Sequence, residues 1–311
     1  MPPRRALRGF RKVPAMPFLP HRRSVLAGLA ALPGLAVPGL ARTGTERPFD
    51  LRVIMSGHSL TDPIPEPLIA MVQAAGGAAS EGMRIDADTV PGSPIEWRWE
   101  HRSGSPDSRE DLANYDVLVL TERVPVRSAM EWHRTKELAL AWFDLAWTSG
   151  NGGRGAETIF YASWISTTSG PGNQDSYDSD EKVIPFRERL ELEMGSWQEI
   201  VDHVNRNRVT GSPPMRAIPG PLVMAAAYDA IAAGTAPGLG AITDLFRDTI
   251  HVNHLGGFLF ALAHFAVIYG RDPRSIPDLG GEGPWPRRDQ ADWMKQLVWD
   301  VVRAYPDSGL S

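Results

Sequence analysis

Between residues 51 and 305 the chain alternates short apolar runs with longer amphipathic stretches, a rhythm that few folds satisfy. Residues 51–55 (LRVIM) stop at Gly57 and read as a buried strand. Residues 84–90 alternate and end at Pro91-Gly92, giving a second strand; residues 115–121 (YDVLVLT), 157–164 (ETIFYASW) and 215–219 give three more. Asp62-Pro63 reads as an N-cap followed by proline in the first helical position, opening a helix with Leu68, Ile69 and Val72 on its apolar face and Gly76-Gly77 at its end. Further helices are predicted over 130–147 (Trp132, Leu138, Trp142, Leu145 and Ala146 apolar), within 183–207, over 222–233 and over 255–269. A last one over 287–305 packs on the outside through Trp293, Leu297 and Val301. Strand–helix alternation implies a three-layer α/β/α fold around a parallel sheet of about five strands in a flavodoxin-like order, with ligands outside the carboxyl ends of the strands.

The first 41 residues stand apart. They carry seven positive charges and no negative one, and HRRSVLAG places paired arginines before a weakly apolar run. This resembles a twin-arginine export signal, with Gly39-Leu40-Ala41 supplying the small-x-small cleavage pattern. The apolar run has 18 residues at most and is broken by proline and glycine, so no stable membrane span is expected. Residues 42–311 then form one domain, with 271–311 as a C-terminal extension, in a periplasmic or secreted protein. Without the leader the net charge of −5 becomes −12, which disfavours nucleic acid and anionic membranes as partners. The chain has no cysteine, which excludes disulfides, thiolate catalysis and cysteine-ligated metals.

Two short segments carry chemistry. Ser59 lies just past the first strand, where a nucleophile gains from the N–H groups and positive dipole end of a following helix. Asp248 and His251 stand three apart in a predicted loop, a spacing that lets a carboxylate fix the tautomer of an imidazole base. Taken singly, each fits an ordinary capped turn equally well.

Their order along the chain resembles the SGNH hydrolases, also called GDSL hydrolases. GHSLTD (57–62) is similar to that family's first block, with His58 where aspartate is more usual. DTIHVNHLG (248–256) is similar to its last block, and Val90-Pro91-Gly92-Ser93 stands where its second block supplies an oxyanion N–H. The resemblance spans about residues 51–270. It implies Ser59 as nucleophile, His251 as base, Asp248 as its orienting partner, and the N–H groups of Ser59 and Gly92 as oxyanion hole, with no cofactor. At the third block the family carries an asparagine that completes this hole; here the strand runs on as Thr121-Glu122-Arg123. Losing one such donor costs about 10² to 10³ in rate. Either Thr121 donates instead, or Glu122 donates in protonated form, or Glu122 binds a substrate hydroxyl.

The resemblance implies hydrolysis of an ester; export, the acidic charge and tryptophans near the site point to an acetyl group on a carbohydrate as the expected substrate. Trp97, Trp99 and Trp164 fall near the site end of the sheet, as candidate sugar platforms or as core anchors. An acyltransferase acting on polysaccharide, a lipid or lysophospholipid esterase, and a non-catalytic binding module are the alternatives. A metal site at His58, His251 and His254 lacks further ligands. Asn173, Asp175, Asp178, Asp180 and Glu181 lack EF-hand spacing and read as a solvated acidic loop. No metal is expected.

Overall fold

Five short strands carry the architecture: β1 (Arg52–Gly57), β2 (Arg84–Thr89), β3 (Val117–Leu120), β4 (Glu157–Ala162) and β5 (Arg216–Pro219). The computed structural model describes residues 46–174, 176–280 and 283–310. The expected leader, residues 1–41, lies outside them. All strand pairs are parallel, in the order β2-β1-β3-β4-β5, which is the flavodoxin-like order expected for a doubly wound sheet.

Alternation along the strands divides the interior in two. Val53, Met55, Val117, Val119, Ile159 and Tyr161 face α1 (Pro65–Gly76), α6 (Gly220–Ala232), α7 (His254–Tyr269) and α8 (Arg288–Ala304). Ile54, Leu118, Leu120 and Phe160 face α2 (Ile95–Glu100), α4 (Thr135–Gly153) and α5 (Phe186–Asn207). The short α3 (Val126–Trp132) packs against α4 and α5. Helix α7 is apolar all round, and every residue from Gly256 to Tyr269 is buried, as a central helix requires. Among the described residues no helix is long and apolar enough to cross a membrane.

Some elements differ from expectation. Helix α1 starts at Pro65 rather than Pro63, because the Asp62 carboxylate accepts a hydrogen bond from Thr89 Oγ1 and is not a cap. The stretch 130–147 is two helices, and Trp132, expected on an apolar face, ends α3 with its ring exposed. Helix α8 turns Met294, Val298 and Val302 into the core, one residue on from the face read in the sequence. It packs on α6 and α7 as part of their layer.

Candidate active site

Strand β1 ends in a tight turn that presents Ser59. Gly57 is needed for space: a Cβ there would lie 2.1 Å from Thr61 Oγ1. Within the turn Thr61 N–H donates to the His58 carbonyl at 2.7 Å. His58 is buried and fastens the turn to the next strand, its Nε2 donating to the Glu122 carbonyl at 2.9 Å while Nδ1 accepts from Leu60 N–H. Burial, and then the nearby Arg98 charge, bring the His58 pKa down to about 4, so the ring is neutral in this role.

The second half of the site is the loop before α7. Phe246 and Val252 bridge across its base, and Arg247 N–H donates to the His251 carbonyl. Asp248 Oδ1 accepts the N–H groups of Ile250 (2.9 Å) and His251 (2.7 Å), which folds the loop over itself. Its Oδ2 accepts from His251 Nδ1 at 2.8 Å. His251 Nε2 in turn accepts from Ser59 Oγ at 2.9 Å, across 192 residues of sequence. Burial works against the Asp248 charge, but the His251 and Ile250 N–H groups and the His251 ring outweigh it and hold the carboxyl at about 2. A carboxylate on Nδ1 fixes the tautomer that leaves Nε2 free to accept the serine proton.

Gly92 follows β2 with φ +68°, a left-handed conformation that favours glycine. Its loop is tied to the site, since Val90 N–H donates to the Gly57 carbonyl. Among the described residues the N–H groups of Ser59 and Gly92 donate to no protein acceptor. A cavity of about 140 Å³ opens beside Ser59 and His251, walled by Asp62, Pro63, Arg247 and Val252. A groove of about 540 Å³ lies away from these residues, between α3, the start of α4 and α5.

The structure removes three expected substrate contacts. Glu122 is 0% exposed: Oε1 accepts from Ile95 and Arg123 N–H, and Oε2 accepts from Thr135 Oγ1 at 2.7 Å. Burial pushes its pKa up while these donors and Arg98 hold it back. Thr121 is buried too, its hydroxyl turned to the Glu122 carbonyl, so neither side chain reaches the cleft. Trp164 is buried, stacked on Phe260 at 4.1 Å, and donates Nε1–H to the Ile250 carbonyl. It buttresses the Asp248–His251 loop from behind and offers no face to a sugar. Trp99 packs edge-on against Trp142, and Trp97 stacks on His101.

Sequence reasoning missed Arg98. This fully buried cation donates to Ser56 Oγ at 3.0 Å and to the Thr121 carbonyl, bracing the ends of β1 and β3. Burial lowers its pKa to about 10, against the pull of Glu122 and Asp88. Asp178, in the acidic loop, accepts from Ser128, Arg189 and two backbone N–H groups, and Glu181 from Ser176. These carboxylates serve the protein's own donors. Asp175 lies outside the described residues. His254 is exposed at the start of α7, apart from the bonds that engage His58 and His251.

Fold and site together define a doubly wound α/β protein with a hydrogen-bonded Ser–His–Asp chain at the carboxyl edge of its sheet. No protein-family model and no curated protein sequence matches the chain. Among solved structures it is similar to a DUF4886 family protein from Bacteroides uniformis ATCC 8492, with a TM-score of 0.56 and 14% identity over 83% of this chain and 96% of that one. That likeness is one of fold. Weaker superpositions relate it to a Slackia heliotrinireducens protein assigned provisionally to the SGNH hydrolases (TM-score 0.44, 16% identity, 69% of this chain, 96% of that one). Another is an acetyl xylan esterase (0.47, 15%, 70% and 100%).

Proposed function

We propose that this chain is an exported serine esterase of the SGNH type that removes a short acyl group, most simply acetyl, from a carbohydrate. The observation that carries the reading is the continuous relay from Ser59 Oγ through His251 to Asp248, with both links under 3 Å. Ser59 Oγ attacks the ester carbonyl as His251 Nε2 takes its proton. The oxyanion falls to the N–H groups of Ser59 and Gly92, which no protein acceptor occupies among the described residues. His251 then gives the proton to the departing alkoxide, leaving an acyl-serine, and a water activated by the same imidazole releases the acid. Asp248 stays ionised throughout and stabilises the imidazolium.

The size of the cleft supports a short acyl group. Its roughly 140 Å³ resembles the ~150 Å³ that admits a single benzene, and falls short of a fatty chain. The leader supports a periplasmic or secreted location, and the acidic mature chain supports a neutral substrate.

The test is turnover of p-nitrophenyl acetate by residues 42–311, beside Ser59→Ala, with fluorophosphonate labelling. We expect turnover and labelling in the parent and a loss of about 10⁴-fold or more in the mutant. Equal rates in the two proteins, or label on a residue other than Ser59, would end the proposal.

A further inference from the structure

Large aromatic rings normally leave water on folding, so an exposed pair in mutual contact asks for a reason. Trp132 and Tyr177 are each 55% exposed, with ring centroids 5.3 Å apart and planes inclined by 44°. Trp132 closes α3, in the connection that leaves β3. Tyr177 lies in the connection that leaves β4. In a parallel sheet both connections rise from the carboxyl edge, the edge that also carries Ser59 and Gly92.

The pair is fixed in place. Arg123 Nη2 donates to Tyr177 Oη at 3.2 Å, and its guanidinium lies 5.9 Å from the ring centroid. Tyr177 Oη donates in turn to the Val124 carbonyl at 3.4 Å. Arg123 also lies next to the turn that carries Ser59. It directly follows Glu122, whose carbonyl holds His58, and its charge acts on His58.

We infer that Trp132 and Tyr177, with Arg123 beside Tyr177, form a subsite at the carboxyl edge of the sheet that holds the sugar rings of an acylated glycan. The inference rests on the esterase reading and names where the alcohol part of its substrate lies. The axial C–H face of a pyranose is apolar and weakly positive, and it stacks on the negative face of an aromatic ring. The hydroxyls around its rim need hydrogen-bonding groups, and Arg123 and the neighbouring Arg127–Asp180 ion pair provide them. A fatty chain would need an unbroken apolar groove, whereas these charges interrupt this surface. A platform already held by Arg123 loses little freedom on binding.

Binding and turnover are measured separately. Residues 42–311 carrying Ser59→Ala are run through native gels containing acetylated xylan, acetylated glucomannan or acetylated starch. We expect retardation by at least one glycan, and a weakening of about tenfold on adding Trp132→Ala or Tyr177→Ala, with Trp132→Phe intermediate. In the active protein Trp132→Ala should raise KM for the retained glycan about tenfold and leave p-nitrophenyl acetate turnover within twofold. No retardation by any of the three, or equal retardation of parent and variants, overturns the subsite. So does a Trp132→Ala variant that changes only the oligomeric state, since the pair is then a protein interface. Absence of Ser59-dependent ester turnover would remove the esterase reading alone, because the gel reads binding without it.

Discussion

Asp248 does two things with its two oxygens: Oδ1 closes the loop through two backbone N–H groups, and Oδ2 orients the imidazole. Asp248→Asn separates them. The amide oxygen can still close the loop, but the amide N–H₂ then faces His251 Nδ1 and forces the proton onto Nε2. That tautomer cannot accept from Ser59, so we expect kcat to fall by about 10⁴ with the fold retained, read by steady-state kinetics and circular dichroism. Glu122 is the opposite case. Its carboxylate binds two N–H groups and one hydroxyl in the interior, so it positions the loops that carry Gly92 and Arg123 and touches no substrate. Glu122→Gln keeps one oxygen for the two N–H groups, and Thr135 can accept from the new amide. We expect KM for p-nitrophenyl acetate to stay within about twofold. Glu122→Ala orphans three buried donors and should lower the unfolding free energy by several kcal/mol in urea titrations. A rise in KM in Glu122→Gln at unchanged stability would restore the substrate contact that the burial argues against.

At the scale of elements, the strands and long helices were legible because each has one strong periodicity. The fifth strand and its register neighbour β4 follow from residues 157–162 and 216–219 being almost wholly buried. The short helices α2 and α3 were not legible, since six or seven residues hold too few turns to show a period. The start of α1 was misread because three prolines at 63, 65 and 67 each fit a first helical turn, and only the tertiary bond from Thr89 decides among them. The two catalytic segments could be read from local motifs, but their approach to 2.9 Å could not, because the packing of α7 on α1 brings them together. Asn253 was passed over although it stands directly before an apolar helix, the usual place of a cap. Its Oδ1 accepts from Leu255 and Gly256 N–H, while Nδ2 donates to the carbonyls of Asp244 and Phe246 at the root of the His251 loop. Asn253→Ala should therefore cost about 1 kcal/mol from the cap alone, a fall of roughly 2–4 °C in Tm. Asn253→Asp keeps the cap and abolishes the bonds to the loop. If those bonds hold His251 in place, Asn253→Asp lowers kcat while losing less stability than the alanine variant. Equal kcat in wild type and Asn253→Asp would show that the loop stands without them.

At the scale of the whole molecule two histidines are buried among the described residues; the first block already singled out His58, whereas His264, in an apolar helical stretch, carried no mark of its surroundings. His58 sits at the end of the sheet, facing Arg98, Arg123 and His251. His264 lies in the middle of α7, its Nδ1 donating to the Phe260 carbonyl and its ring edge-on to Tyr161 at 4.5 Å. Burial is the main cause in both, and both pKa values fall from 6.5 to about 4. At these two groups the unfolded chain binds more protons than the native one between these limits, so their contribution to stability rises with pH across the window, while the raised carboxyls of Glu122, Glu181 and Glu193 act in the opposite sense. The contribution is complete above about 6.5, drains away as pH falls through the window, and is gone below about 4, at on the order of 3 kcal/mol per histidine. The Asp248 carboxyl adds nothing there, since its folded value of about 2 places its own loss at lower pH. Between pH 7 and pH 4.5 the urea midpoint of His264→Phe, which fits the edge-on contact with Tyr161 and cannot be protonated, should therefore fall less than that of the wild type, by roughly half of the histidine contribution. If the acid loss is undiminished in His264→Phe, the sensitivity lies with His58 and the site loops, and ester turnover should then decline along the same curve as the fold.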